Sequence, residues 1–395
     1  MKIALDLRRI RNPGIGRYMK CLTEALLAVS PAHEYLLILP PDAAQMIEAP
    51  PGAQAEKIVS SARYYSLPEQ VEIPRILRDH RVDLLHAPHF NIPLICRCSR
   101  VVTIHDVIYL ACREDLPSWA GRMYYKVMMS SAVRVADEII TDSKFSKEQI
   151  RQFIGTDRDI RVIYPGVDPS FAPVTDDARI RQACSRYGIR GDYVLYTGIF
   201  KPRKNHAGLL RAFRRLTDLG VEASLVIAGP VDERQKEIRS LAEELKIADR
   251  VVFTGFVDEG DLPSLYSGAR VYACPSLYEG FGLTVLEAMA CGTPVVCSQG
   301  TSLPEVGGAA ALYADARNPK EFGDALYKAF ADVNLRATLR TDGFANVRRF
   351  SWNHTATQTL EVYQRALGGS TKSVVGAKVS DRASDDFVMP KEGAQ

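Results

Sequence analysis

Short apolar runs recur along the chain, each ended by glycine, proline or a charge and each followed by residues at helical spacing. The first covers residues 2–7, and beyond it Leu22, Leu26 and Val29 share one helical face. The strand pattern returns at 35–39, 84–86, 100–104, 138–141 and 161–164, with helices expected over 68–81 and from about Pro117. Strands so short and so uniformly apolar are covered on both faces. The alternation therefore predicts an α/β chain with a parallel sheet between helical layers.

A second series starts later. Residues 164–173 are rich in proline and glycine and read as a connection between domains; the charged stretch 176–190 follows, and a new strand is expected over 193–198. Further strands are expected at 224–228, 251–253, 271–274 and 295–296. The boundaries predicted are a first domain over 1–172 and a second over 190–350, with a helix after Trp352. From 369 to 395 the chain is small, polar and aperiodic, which predicts a disordered tail.

A length of 395 residues fits two domains, and a net charge of +3 gives no ground for a nucleic-acid partner. No apolar run reaches the ~18 residues of a membrane span, and the apolar stretch before Arg8 is too short for a secretory leader. Eight scattered cysteines without a C-x-x-C pair suit structural thiols in a reduced, cytoplasmic setting. His86 and His89 lack an accompanying thiol or carboxylate cluster, so no metal is expected. Residues 117–136 carry Arg122, Lys126 and Arg134 with no acid, among Trp119, Met123, Tyr124, Tyr125, Met128 and Met129. Such a helix can pack its apolar face into the core or lie on an anionic membrane.

Candidate chemistry gathers at strand ends. Residues 275–294 read as a strand end, a glycine loop, a helix opening near Gly282 and a stop at Cys291-Gly292. The N–H groups around Gly282, Leu283 and Thr284 offer about half a positive charge to a phosphate. Glu287 lies about 6 Å further along the axis, the reach from a diphosphate to ribose hydroxyls. Glu279 precedes the helix, where the activated group would lie. Taken alone, that spacing is equally one of a solvated loop residue and a solvated helix face. Gly198 ends another strand and opens a turn with Lys201, Arg203 and Lys204, a cationic set suited to a diphosphate. His105-Asp106 also stands at a strand end, and Thr141 to Glu148 has a helix-capping pattern. Gly14-x-Gly16-x-x-Met19 lacks the third glycine of a nicotinamide fingerprint, which disfavours an oxidoreductase.

The run P-S-L-Y-E-G-F-G-L-T-V-L-E-A-M-A-C-G-T-P-V-V resembles the donor-site signature of retaining glycosyltransferases of the GT-B fold, glycosyltransferase family 4. The resemblance implies two Rossmann-like domains facing a cleft, with a segment over 352–368 crossing back to the first. It implies a nucleoside diphosphate sugar as donor and no metal, because cationic side chains replace it. Gly280, Phe281, Gly282, Leu283, Thr284 and Glu287 would hold that donor, with Gly16 and Gly198 lining the diphosphate and Phe256 and Val257 near the base. Lys204 matches the family's lysine; Ile199 stands where many members have arginine, so Arg203 or Lys201 would supply the second charge. His105 would contact the transferred sugar together with Glu279, while Arg17 and Asp106 would face the acceptor. The K-P-R-K-N and G-I-G-R-Y loops resemble bacterial polysaccharide mannosyltransferases, which points to GDP-mannose, with a UDP-sugar as alternative. The acceptor implied is a saccharide or a polyprenyl-linked one, with peripheral contact to the inner membrane face. A non-catalytic nucleotide-sugar-binding subunit would share the same pocket.

Overall fold

The computed structural model describes residues 1–12 and 14–368. The predicted tail over 369–395 lies outside the described residues. Among the described residues thirteen strands form two separate sheets, and every pairing in both is parallel. The first contains β1 (Lys2–Asp6), β2 (Glu34–Leu39), β3 (Gln54–Val59), β4 (Leu84–Ala87), β5 (Ser99–Thr103), β6 (Glu138–Thr141) and β7 (Arg161–Val162) in the order β3-β2-β1-β4-β5-β6-β7. The second contains β8 (Tyr193–Thr197), β9 (Ser224–Ala228), β10 (Val251–Gly255), β11 (Val271–Cys274), β12 (Val295–Ser298) and β13 (Ala311–Ala314) in the order β10-β9-β8-β11-β12-β13. In each sheet the order reverses beside its first strand, β1 or β8. Crevices for ligands open beyond the C-terminal strand ends at such points.

Two strands escaped the sequence pattern. β3 reads Gln-Ala-Glu-Lys-Ile-Val and lies at the sheet edge, so its side chains are mostly solvated and its apolar count is low. β13 is four residues long and also at an edge. The strand expected over 161–164 is cut to Arg161–Val162, because the chain turns toward the second domain at Tyr164-Pro165.

The last helix, Trp352–Ala366, returns to the first domain, where Tyr363 is fully buried among Ile3, Leu5 and Tyr18. The Tyr363 hydroxyl lies 2.6 Å from His86 Nδ1, and His86 Nε2 lies 2.8 Å from Thr103 Oγ1. His86 is thus a core histidine, and burial pushes it down to about 3. The chain passes between domains twice, side by side: a Cβ on Gly166 would fall 2.3 Å from the Trp352 nitrogen.

Candidate active site between the two sheets

The helix Leu283–Ala290 starts where the sequence places it. Gly282 caps it at φ 112°, a conformation that disfavours side chains, and a Cβ there would meet Leu303 at 2.8 Å. Glu279, three residues earlier, is buried, and its Oε1 accepts from Lys204 Nζ at 2.5 Å. The Leu277 nitrogen donates to the Arg203 carbonyl at 2.7 Å, which ties the cationic turn to the glutamate loop. Asn205, at φ 56°, ends that turn and caps the following helix by accepting from the Gly208 nitrogen. Lys204 and the start of the Leu283–Ala290 helix therefore meet at Glu279. Burial raises the Glu279 carboxyl, but Lys204 and Arg203 outweigh it and hold the group below its ordinary range.

Arg203 reaches across the cleft. Its Nε lies 2.7 Å from Asp115 Oδ2 of the first domain, but off the N–H direction, and Nε and Nη1 are buried without a hydrogen-bond acceptor. A buried guanidinium with unmatched N–H groups suits an anionic ligand, which would supply the missing acceptors.

Glu287 is buried beneath the same helix start, and its Oε2 accepts from Tyr266 Oη at 3.1 Å. Tyr266 Oη lies 2.8 Å from Thr197 Oγ1, which lies 3.1 Å from Tyr272 Oη. This network fixes the carboxylate's direction, and no spacing in the sequence signals it. Burial raises the Glu287 carboxyl, opposed by Arg17, whose guanidinium crosses from the first domain to donate to Oε1. Arg17 also bonds Glu259 at 3.2 Å. Arg17, whose loop is expected to face both the donor's diphosphate and the acceptor, lies against the carboxylate read as the ribose anchor.

His105 and Asp106 stand against the donor loop. His105 Nδ1 lies 2.7 Å from Asp142 Oδ2, and its Nε2 lies 3.0 Å from the Pro88 carbonyl. Two acceptors require both ring nitrogens to carry hydrogen. Burial works against that charge, but Asp142 prevails and the ring titrates above its ordinary value. Asp106 Oδ1 accepts from the Ile108 nitrogen at 2.9 Å. A Cβ on Gly280 would fall 2.8 Å from Asp106 Cβ, so the two domains touch there. Ser143 caps the helix Lys144–Ile150, as its pattern predicts, and also bridges the domains: Ser143 Oγ and Ser146 Oγ both donate to the Gly280 carbonyl, at 2.6 and 2.9 Å. Asp115 and Tyr266 were not identified from the sequence, and Asp142, Ser143 and Ser146 were read there only as part of a helix-capping run.

Some expected donor residues serve packing. Phe281 is buried against Tyr164 and Phe350, and Val257 lies in the same core, so these side chains offer no open surface. Phe256 is exposed. Gly198 and Gly16 are sites of close approach, since a Cβ would meet Tyr196 Oη at 2.7 Å and the Ile10 carbonyl at 2.0 Å.

Residues 13–171 match the family model of glycosyltransferase family 4, and residues 189–345 match that of glycosyl transferases group 1. The chain is 31% identical to O-antigen chain mannosyltransferase B of Escherichia coli over 385 residues, covering 92% of this chain and 100% of that protein. The chain belongs to the family 4 glycosyltransferases. This family 4 enzyme is also 32% identical to the serotype-specific mannosyltransferase WbdA of Escherichia coli over 317 residues, covering 77% of this chain but 37% of that longer protein. Among solved structures it resembles sucrose-phosphate synthase from Thermosynechococcus elongatus, with a TM-score of 0.77, 24% identity and coverage of 94% and 100% of the two chains. It also resembles Anabaena HepE in complex with UDP-glucose, with a TM-score of 0.73, 21% identity and coverage of 92% and 100%. These likenesses establish the GT-B fold of the family 4 enzyme, and its membership makes it a sugar-transferring enzyme.

Proposed function

We propose that the enzyme moves mannose from GDP-mannose to a saccharide or lipid-linked saccharide in bacterial surface polysaccharide synthesis, with retention at the anomeric carbon. The observation that carries this reading is the junction of Lys204, Glu279 and the under-satisfied Arg203 guanidinium beside the Gly282 helix start. Breaking the bond from the sugar to the diphosphate builds negative charge on the leaving oxygen. Lys204, Arg203 and the amides of Leu283 and Thr284 meet that charge with donors already in place, and Glu287 anchors ribose. Glu279, held anionic, faces positive charge on the sugar ring. The acceptor oxygen bonds to the anomeric carbon on the face the phosphate leaves, and its proton passes to a phosphate oxygen. The named mannosyltransferase relatives support mannose. A UDP-sugar is the second reading, supported by the neighbour solved with UDP-glucose.

Thermal unfolding against a panel of nucleotide sugars tests the donor. GDP-mannose is expected to stabilise most, since a ligand at about 100 times its dissociation constant adds about 2.7 kcal/mol. Glu287→Ala should remove most of that gain, and proton NMR of the first product should show the α-anomer. A larger shift with UDP-sugars, or a β-linked product, rejects the donor or the stereochemistry.

The membrane-facing part of the proposal rests on the helix Trp119–Val135. Tyr125, Met129, Ala132 and Val133 face the core, while Trp119, Met123, Tyr124 and Val127 are exposed beside Arg122 and Lys126. One face of this helix thus packs into the core, and the exposed apolar and basic residues of the other support the membrane reading. No helix among the described residues is long and apolar enough to cross a membrane. Flotation with vesicles rich in anionic phospholipid should carry the protein up, and about 1 kcal/mol per cation should be lost in Arg122→Glu and Lys126→Glu. Equal recovery with zwitterionic vesicles would reject this docking face.

A further inference from the structure

We infer that the loop carrying Tyr65, with Arg9, His89 and Tyr124, forms the platform that receives the acceptor's sugar ring. Tyr65 has φ 63°, which a bulky non-glycine residue rarely adopts. Strain of this kind persists only where the surroundings enforce it, and it concentrates at ligand clamps. Here the enforcement is visible. The Tyr65 nitrogen donates to Glu69 Oε1 at 2.9 Å, and its hydroxyl accepts from Arg9 Nη1 at 2.7 Å and lies 2.9 Å from His89 Nε2. Its ring stacks on Phe90 at 5.7 Å and meets Tyr124 edge-on at 6.1 Å. Despite this fixation Tyr65 is 39% exposed and Tyr124 is 45% exposed, with the Arg9 guanidinium over the Tyr65 ring at 5.7 Å from its centroid. A strained backbone, a locked hydroxyl and a partly exposed aromatic side chain are thus combined in one residue.

The support beneath is buried and ionic. Arg8 bonds Asp6 at 2.6 Å and Glu69 at 3.3 Å, and Glu69 Oε2 also accepts from Asn91 Nδ2 at 2.7 Å. Asn91 Oδ1, also buried, has no hydrogen-bond partner. Asp6 ends β1 and Arg8 follows it, Glu69 follows β3 and Asn91 follows β4, all at the C-terminal edge of the first sheet where ligands collect. The platform connects to the reaction centre: Pro88, whose carbonyl faces His105, precedes His89, and the Tyr125 hydroxyl reaches the Asp106 carbonyl at 3.4 Å.

The chemistry fits a neutral pyranose. The C–H face of such a ring is apolar and lies on a rigid aromatic ring at little entropic cost, because the aromatic is already ordered. Sugar hydroxyls then find a donor in the Arg9 guanidinium and a partner in the Tyr65 hydroxyl, which buried His89, kept neutral by burial and then by the nearby Arg9 charge, holds from behind. None of these residues belongs to the donor machinery described above.

This inference rests on the reading of the enzyme as a saccharide-extending transferase, and its test separates the two. Saturation-transfer NMR on the full chain would use three free disaccharides: mannobiose, maltose and lactose. Binding of one of them is expected, with affinity falling about tenfold in Tyr65→Ala and in Tyr65→Gly. The glycine variant relieves the backbone strain, so a fall there reports the lost ring face and not misfolding. GDP affinity should stay unchanged in both. Tyr65→Phe, which keeps the face, should retain most of the binding. If no disaccharide binds the wild type, or if Tyr65→Gly and Tyr124→Ala bind as the wild type does, the platform is refuted. If maltose or lactose binds in place of mannobiose and depends on Tyr65, the platform stands with a non-mannose acceptor, and the donor reading is decided by the nucleotide-sugar panel alone.

Discussion

Lys204→Ala is expected to lower turnover by about a thousandfold, the upper range for losing one fixed donor on a leaving group. It should also weaken donor binding, because the same ammonium meets the diphosphate before and during bond cleavage. A second effect must be separated from the first. Glu279 is buried, and Lys204 is its hydrogen-bonded counter-charge at 2.5 Å, so deleting the lysine leaves a buried carboxylate with only the more distant Arg203 charge to offset it. That alone destabilises by about 3–5 kcal/mol. The double variant Lys204→Ala with Glu279→Gln removes the orphaned charge. Its melting temperature should return toward that of the wild type while initial rates stay low. Recovery of both together would make the pair structural and remove Lys204 from the chemistry.

Gly280→Ala should separate donor binding from catalysis. A Cβ at this position meets Asp106 Cβ at 2.8 Å and the His105 carbonyl at 3.2 Å. The neighbours belong to the other domain and one is backbone, so relief requires the domains to move apart. Lys204, Glu279 and Glu287 all lie in the second domain and keep their mutual geometry. GDP affinity by calorimetry should therefore change little, while kcat falls about a hundredfold, the typical cost of a misplacement near 1 Å. The open position would also admit water to the activated sugar. Normal kcat would show that the contact seen at Gly280 is not part of the reacting state.

The parts of the site legible in the sequence are those set by local geometry. Glycine at a strand end, then cations or a helix start, is a device completed within ten residues, and Gly282, Glu279 and Lys204 carry it. What the sequence hid depends on register between distant segments. β5 and β6 pair Thr103 with Ile140, so two residues further on His105 and Asp142 arrive at the same height. No spacing along the chain announces a partner 37 residues away. Arg17 and Glu287 are 270 residues apart and meet only because two domains face each other. The family resemblance placed Arg17 in the cleft but on the acceptor side. Val257 and Phe281 show that an apolar side chain beside a ligand loop can fill the core, which leaves the backbone of these residues to face the donor.

The return of the Trp352–Ala366 helix bears on how relatives of this enzyme can be recombined. A hybrid joined once, within 164–173, would pair its first sheet with a foreign closing helix, and the contact between His86 and Tyr363 would depend on chance. Grafting a new donor preference onto this scaffold therefore calls for two seams, one on each of the adjacent strands of chain at Gly166 and Trp352, so that the middle of the sequence is exchanged as a cassette and both ends stay with their own fold.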